Sequence, residues 1–216
     1  MPEPTYLQAT RAAYDTVAVD YAELLTTELA EKPLDRGLLA TFAELVTADG
    51  AGPVGDLGCG PGRVTTHLHS LGLDVFGMDL SPAMVEVARR TYPGLQFHEG
   101  SLTALDLADG SLGGILGWYS IIHTPPELLP VVFAEFHRVL RPGGHLLLAF
   151  QVGDGQRVER QEAYGHAVSL VNYRLSPDHV VDQLGKVGLA VHTRVIREPG
   201  AAFETVPQAY LMARKR

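Results

Sequence analysis

The chain opens on a helical rhythm and then changes period. In the segment YDTVAVDYAELLTTEL the apolar positions Val17, Tyr21, Leu24 and Leu25 recur at three and four, the spacing of one helix face. Residues from about Thr10 to Val46 therefore read as helical, with a second helix over Leu34–Leu45. Ala48 to Pro53 is a turn-rich break. After it, short apolar runs alternate with helical segments. The pattern predicts a strand at Val54–Leu57, a helix at Arg63–Leu71, a strand from Asp74 that ends at Asp79, and a helix from Pro82 to Thr91. Strands at Leu95–His98 and Gly114–Trp118 follow. Ser81 before Pro82 reads as an N-cap, and Thr124 with Glu127 reads as a capping box opening the next helix. RPGG ends that helix, and HLLLAFQ is a near-continuous apolar strand. Gly153 to Leu175 interrupts the alternation with charge, glycine and a strand-like VSLVNYRL. Ser176-Pro177-Asp178 starts a helix to about Val187, and strands near Leu189–Ile196 and Gln208–Arg214 close the chain with no helix between them.

Strands alternating with helices predict an α/β fold, a doubly wound and mostly parallel sheet with helices on both faces. The last two strands predict an antiparallel hairpin at one edge. At 216 residues one domain is expected. Its parts are an N-terminal helical cap over 1–46, a core over 54–151, a lid or pocket wall over 152–175, and a C-terminal helix and hairpin over 176–216.

Composition narrows the partners. A net charge of −8 disfavours a large phosphate-binding surface, so nucleic acid is not the expected partner. No run approaches the ~20 apolar residues of a membrane span, and the N-terminus lacks the apolar stretch of a signal peptide. The single Cys59 excludes an intrachain disulfide and fits a reducing compartment, so a cytoplasmic protein is expected, as monomer or homodimer. His67 and His69 lie two apart on a helix and point in different directions, and no Cys/His cluster has zinc spacing, so no metal is expected.

The chemistry concentrates in VGDLGCGPGRV, Val54–Val64. A glycine-rich turn between strand and helix commonly cradles phosphate. Here the third fingerprint glycine is replaced by Arg63, and Asp56 stands beside the turn, where its carboxylate would repel a pyrophosphate and attract an ammonium. A nicotinamide dinucleotide is thereby disfavoured. Asp79 ends the next strand about 20 residues on, where an acid typically takes ribose hydroxyls. A ligand with a ribose and a nearby positive charge fits both, and S-adenosylmethionine has both.

VGDLGCGPG, VFGMDLSPAMVEVAR, LQFHEGSLTALDL and LRPGGHLLLAF, in that order over about Val54 to Gln151, resemble the class I S-adenosylmethionine-dependent methyltransferase family. The resemblance implies a Rossmann-like seven-stranded sheet with an antiparallel last strand, and S-adenosylhomocysteine as product. It implies Gly58 and Gly60 against the methionine portion and Asp56 near its ammonium. Asp79 would hold the ribose, with Leu80 and Met84 against adenine. Ser101 stands where the family often has Asp, with the backbone N–H of Leu102 in reach of the ring. Gly117 and Trp118 would flank the cofactor.

For the acceptor, Tyr119, Ser120 and His123 follow the fourth strand. His123 precedes a predicted helix start, whose positive end favours a neutral, basic imidazole. Some small-molecule methyltransferases are similar in placing a His here and a Tyr from the N-terminal helix near the methyl group. In this chain that tyrosine is Tyr14 or Tyr21; Tyr14 is taken with His123 as the catalytic candidate and Tyr21 as a cofactor contact. Tyr164, His166, Tyr173 and Arg174 of the lid are candidate substrate contacts. The expected function is methyl transfer to oxygen or nitrogen of a small acceptor. The alternative is a catalytically silent cofactor-binding protein, which would show a filled pocket where the enzyme shows an open one.

Overall fold

The computed structural model describes residues 4–50, 52–200 and 204–216. Residues 1–3, 51 and 201–203 belong to the expected cap, the 48–53 break and the C-terminal hairpin region, and lie outside the described residues. Two helices come first, α1 (Thr5–Leu24) and α2 (Pro33–Ala48), joined through a 3-10 turn at Glu28–Glu31. The chain then alternates: β1 (Val54–Leu57), α3 (Arg63–Ser70), β2 (Val75–Asp79), α4 (Pro82–Thr91), β3 (Gln96–Glu99), β4 (Leu112–Trp118), α5 (Leu129–Val139) and β5 (Leu140–Gln151). Two strands, β6 (Arg157–Ala163) and β7 (His166–Tyr173), precede α6 (Pro177–Lys186), β8 (Leu189–Arg197) and β9 (Gln208–Lys215).

The main sheet has seven strands in the order β3-β2-β1-β4-β5-β9-β8. The first five are mutually parallel, and β9 runs antiparallel to both of its neighbours. The expected fold class and the antiparallel last strand are therefore present. The strand order reverses between β1 and β4, so the crevice beyond their carboxyl ends is where an open α/β sheet takes ligand. Central strands carry continuous apolar runs because helices cover both faces. Leu57, Ile115, Leu146 and Leu148 pack with Phe133 and Phe136 of α5 on one side. Val54, Leu116 and Leu147 pack with Leu39, Phe42 and Val46 of α2 on the other.

The expected interruption over 152–175 is a separate two-stranded sheet, β6 with β7. Its turn is Tyr164-Gly165 with φ of 53° and 80°, the left-handed pair that matches strand twist in a tight hairpin. This hairpin and α1 share a small core of their own: Ala13, Val17 and Ala18 meet Met84 and Val87 of α4 and Ala163, Val168 and Leu170 of the hairpin. Ser81 caps α4 as expected, accepting from the Met84 amide, and its hydroxyl donates to Asp15 of α1.

Several boundaries differ from expectation: α1 already starts at Thr5, RPGG lies inside β5 instead of ending a helix, and α5 starts late. Thr124 makes no side-chain cap; a 3-10 turn at Pro126–Leu128 intervenes, and α5 starts at Leu129. Consecutive Pro125 and Pro126 hold the preceding backbone extended, so no capping box forms at Thr124. Among the described residues no helix is long and apolar enough to cross a membrane.

Candidate active site

The loop after β1 is shaped by glycines that no other residue would replace. Gly58 has φ +85°, and a Cβ there would stand 2.2 Å from Ser120 Cβ. Gly62, at φ +82°, abuts the Phe97 ring, and Gly60, at φ +54°, lies under the Tyr21 ring edge. The loop is fixed from below by β2, because the Gly58 and Cys59 amides both donate to the Met78 carbonyl. Asp79 is held by two amides: Gly60 N–H donates to Oδ2 at 2.7 Å and Ser81 N–H to Oδ1 at 2.9 Å. Burial raises its carboxyl while these bonds oppose the rise. Each oxygen can accept a further bond and Asp79 lines the cavity, so the fixed carboxylate suits a vicinal diol.

Asp56 is the unusual group. It is 1% exposed; Oδ2 accepts from Thr65 Oγ1 at 2.6 Å, and Oδ1 is buried with no partner among the described residues. Burial pushes its carboxyl up to about 7. A buried acceptor without a donor is costly and is normally satisfied. An ammonium arriving at Oδ1 would satisfy it. Arg63, in the place of the fingerprint glycine, pairs with Glu28 at 2.6 Å and ties the glycine loop to the helical cap.

All of these groups open into one cavity of about 290 Å³. Leu80, Met84, Ser101 and Leu102 line one end of it, closed by Tyr6 and Leu7 of α1. Trp118, Tyr119, Ser120 and His123 line the wall beyond β4. Tyr119 sits at φ +55°, a strained conformation for an aromatic residue.

His123 is set by three separate parts of the chain. Its ring follows β4, its Nδ1 lies 2.8 Å from the Val171 carbonyl of β7, and its Nε2 lies 2.8 Å from the Tyr14 hydroxyl of α1. A carbonyl only accepts, so Nδ1 carries the proton and the neutral ring presents its Nε2 lone pair to the Tyr14 O–H. Burial lowers the His123 pKa and raises that of Tyr14 well above the usual phenol range. The imidazole is kept neutral by burial, not by a helix start as expected: His123 ends a 3-10 turn and no α-helix begins behind it.

Residues 54–144 match the family model described as methyltransferase domain. Over these residues the chain carries a methyltransferase domain, in keeping with the resemblance of its motifs to the class I S-adenosylmethionine-dependent methyltransferases. A demethylmenaquinone methyltransferase of Chlorobaculum parvum is 37% identical over 90 residues, covering 41% of this chain and 36% of the relative. A malonyl-(acyl-carrier protein) O-methyltransferase of Enterobacter lignolyticus is 30% identical over 158 residues, covering 73% of this chain and 59% of the relative. The chain thus spans less than two thirds of the curated relatives it matches. The solved structure of 1,6-didemethyltoxoflavin-N1-methyltransferase from Burkholderia thailandensis, with bound 1,6-didemethyltoxoflavin and S-adenosylhomocysteine, has a TM-score of 0.72 at 20% identity. That match covers 100% of this chain and 92% of that one, a likeness of fold.

The methyltransferase domain gathers most of the residues singled out from its sequence at the cavity. Asp56, Gly58, Gly60, Asp79, Leu80, Met84, Ser101, Leu102 and Trp118 line it, with Tyr14, Tyr21, Tyr119, His123, Tyr164 and Arg174. Three others stand elsewhere. Gly117 is not at the cavity surface; it is interior to β4, where a Cβ would meet Leu148 at 2.8 Å. His166 pairs with Asp20 at 2.6 Å on the outer surface, at the turn of the hairpin. Tyr173 packs against the main core, because strand alternation turns it away from the face that carries Asn172 and Arg174. Arg160 of β6 lines the cavity and was not anticipated. Six of the seven residues of β6 are polar or small, so no periodic apolar signal marks that strand.

Proposed function

We propose that the protein transfers a methyl group from S-adenosylmethionine to an oxygen or nitrogen atom of a small organic acceptor. The observation that carries this reading is the Tyr14–His123 pair, with its tautomer fixed, on the wall of the cavity that also holds Asp56 and Asp79. An open cavity lined by these groups favours the enzyme over the silent binding protein. Within this reading the acceptor is a diffusible small molecule, not nucleic acid or membrane, and the chain works in the cytoplasm as a monomer or homodimer.

The fit to the cofactor rests on the orphaned Asp56 Oδ1, which suits an ammonium, and on the fixed Asp79 carboxylate, which suits a ribose. Tyr21 stands over Gly60 at the methionine end, and Leu80 and Met84 offer apolar contact to adenine. When bound, the cofactor would supply an electrophilic methyl group on a sulfonium, with a neutral thioether as the leaving group. The protein orients the acceptor and takes its proton. The Tyr14 hydroxyl accepts the acceptor's proton while passing its own to His123 Nε2. The Val171 carbonyl, hydrogen-bonded to Nδ1–H, stabilises the imidazolium so formed. Tyr14 itself stays a phenol, because burial opposes a lasting phenolate.

A thermal-shift titration tests the reading. S-adenosylhomocysteine is expected to stabilise the protein in proportion to its occupancy, and NAD and NADP to leave it unchanged. Stabilisation by a nicotinamide cofactor alone would overturn the assignment.

A further inference from the structure

Four carboxylates line the cavity, Glu28, Asp56, Asp79 and Glu204, and two of them are paired with cations. Glu28 binds Arg63 and Lys32, and Glu204 takes two bonds from Arg197. Asp56 and Asp79 belong to the cofactor floor. The lid contributes charge of the opposite sign. Arg160 and Arg174 both line the cavity, and neither forms an ion pair with a carboxylate among the described residues. This is notable in a chain with 25 acidic and 17 basic residues, where an arginine near any surface meets an excess of acids.

The hairpin register puts the two arginines on one face. Val158 pairs with Asn172 and Arg160 with Leu170, so these four side chains share a side, and Arg174, two residues past Asn172, continues it. Arg160 and Arg174 stand at opposite ends of this row, with the cross-strand partner of Arg160 about 13 Å from Arg174 at strand rise. Between them the Val171 carbonyl holds the His123 ring. Arg174 is tethered by one nitrogen, which donates to Thr205 Oγ1 at 3.1 Å, while its Nε is buried with no partner among the described residues. A buried guanidinium N–H left open lacks a charge-assisted acceptor, and a carboxylate supplies one in matching planar geometry.

We propose that the acceptor is a small organic acid whose carboxylate is bound by Arg174 and drawn in by Arg160, leaving its hydroxyl or amine at the Tyr14–His123 pair. This rests on the methyltransferase reading above and adds the chemical class of the acceptor. An acid bearing a hydroxyl needs the proton relay, which a carboxylate accepting the methyl group directly would not.

The test uses the intact chain saturated with S-adenosylhomocysteine and a panel of hydroxy- and amino-substituted benzoic and aliphatic acids, each beside its neutral primary amide. Calorimetry on the wild type is expected to show at least one acid binding tenfold or more tightly than its amide. Arg174→Gln should bring that acid down to the level of its amide. Arg160→Gln should weaken it less, with the loss shrinking as salt is raised. S-adenosylhomocysteine affinity, measured in the same variants, should stay within twofold and reports that they are folded. The proposal is overturned if every acid and amide bind alike in the wild type, or if the acid preference survives both substitutions. Failure of S-adenosylhomocysteine to bind the wild type would overturn the methyltransferase reading as well, whereas its binding with no acid preference would overturn this proposal alone.

Discussion

The cavity has a floor and a roof, and they are built on different principles. The floor is the β1 and β2 loop pair: three glycines at positive φ, the buried Asp56 and half-buried Asp79, and amides that hydrogen-bond across strands of the main sheet. Its positions are set by backbone geometry against a large core. The roof is α1 with the β6–β7 hairpin, resting on a small core of alanines, valines and one leucine with Met84, and it closes on the 3-10 turn after β4 that carries His123. Its functional atoms are side-chain tips and one carbonyl, brought together from positions 14, 123 and 171. Backbone-built geometry is rigid and general; tip-built geometry carries the specificity. Floor substitutions should therefore damage cofactor binding, and roof substitutions turnover and acceptor choice.

The largest expected effect lies on the roof. His123→Ala should lower turnover by ~10²–10⁴-fold, the range for loss of a general base, while S-adenosylhomocysteine affinity changes less than twofold. Equal losses in both would erase the division between the two regions. On the floor, Asp79→Ala removes charge-assisted hydrogen bonds worth ~1.5–3 kcal/mol. Calorimetry should show at least tenfold weaker S-adenosylhomocysteine binding. Gly58→Ala combines a left-handed backbone with a Cβ 2.2 Å from Ser120 and should cost ~1–3 kcal/mol in unfolding stability, read by urea titration.

The smallest effect is a proton. The folded Asp56 carboxyl sits near 7, above its ordinary 3.8. Its folded pKa is raised, so its contribution to stability is complete below pH 3.8 and is lost as pH climbs through 7. At pH 6 the ligand-free protein holds that proton, and an arriving ammonium displaces it. Calorimetry of S-adenosylhomocysteine in buffers of different ionisation enthalpy should show proton release at pH 6 that disappears at pH 8.5, and none in Asp56→Asn. Equal release at both pH values would detach Asp56 from the ligand.

The same division decides what could be read in the sequence. Glycines at turns, acids at strand ends and a Ser-Pro cap are demanded by the local backbone, so the floor and the sheet order were legible. The roof was legible only in part. Tyr14 and His123 could be named as a pair, yet the carbonyl that orients His123 belongs to Val171, and a carbonyl leaves no trace in residue identity. Tyr173 and Arg174 were both assigned to the pocket, which alternation forbids for neighbours in one strand. Arg160 was not singled out within the expected lid because RVERQEA carries no periodic apolar signal to show which side chains face inward. His166 was drawn in by its residue type, although its place at the turn sets it against Asp20 on the outer surface. The capping box at Thr124 failed because two prolines outweigh a local side-chain preference.

The hydrogen bond from His123 to Val171 gives the hairpin a second duty as a safety catch. The strand that walls the cavity also supplies the acceptor that keeps the imidazole proton on Nδ1. If the hairpin lifts to admit a molecule, the ring loses its anchor at the moment that water enters, and a reactive sulfonium then faces solvent without an aligned base beside it. Wall and base thus depend on one backbone carbonyl, which any side chain at position 171 would provide.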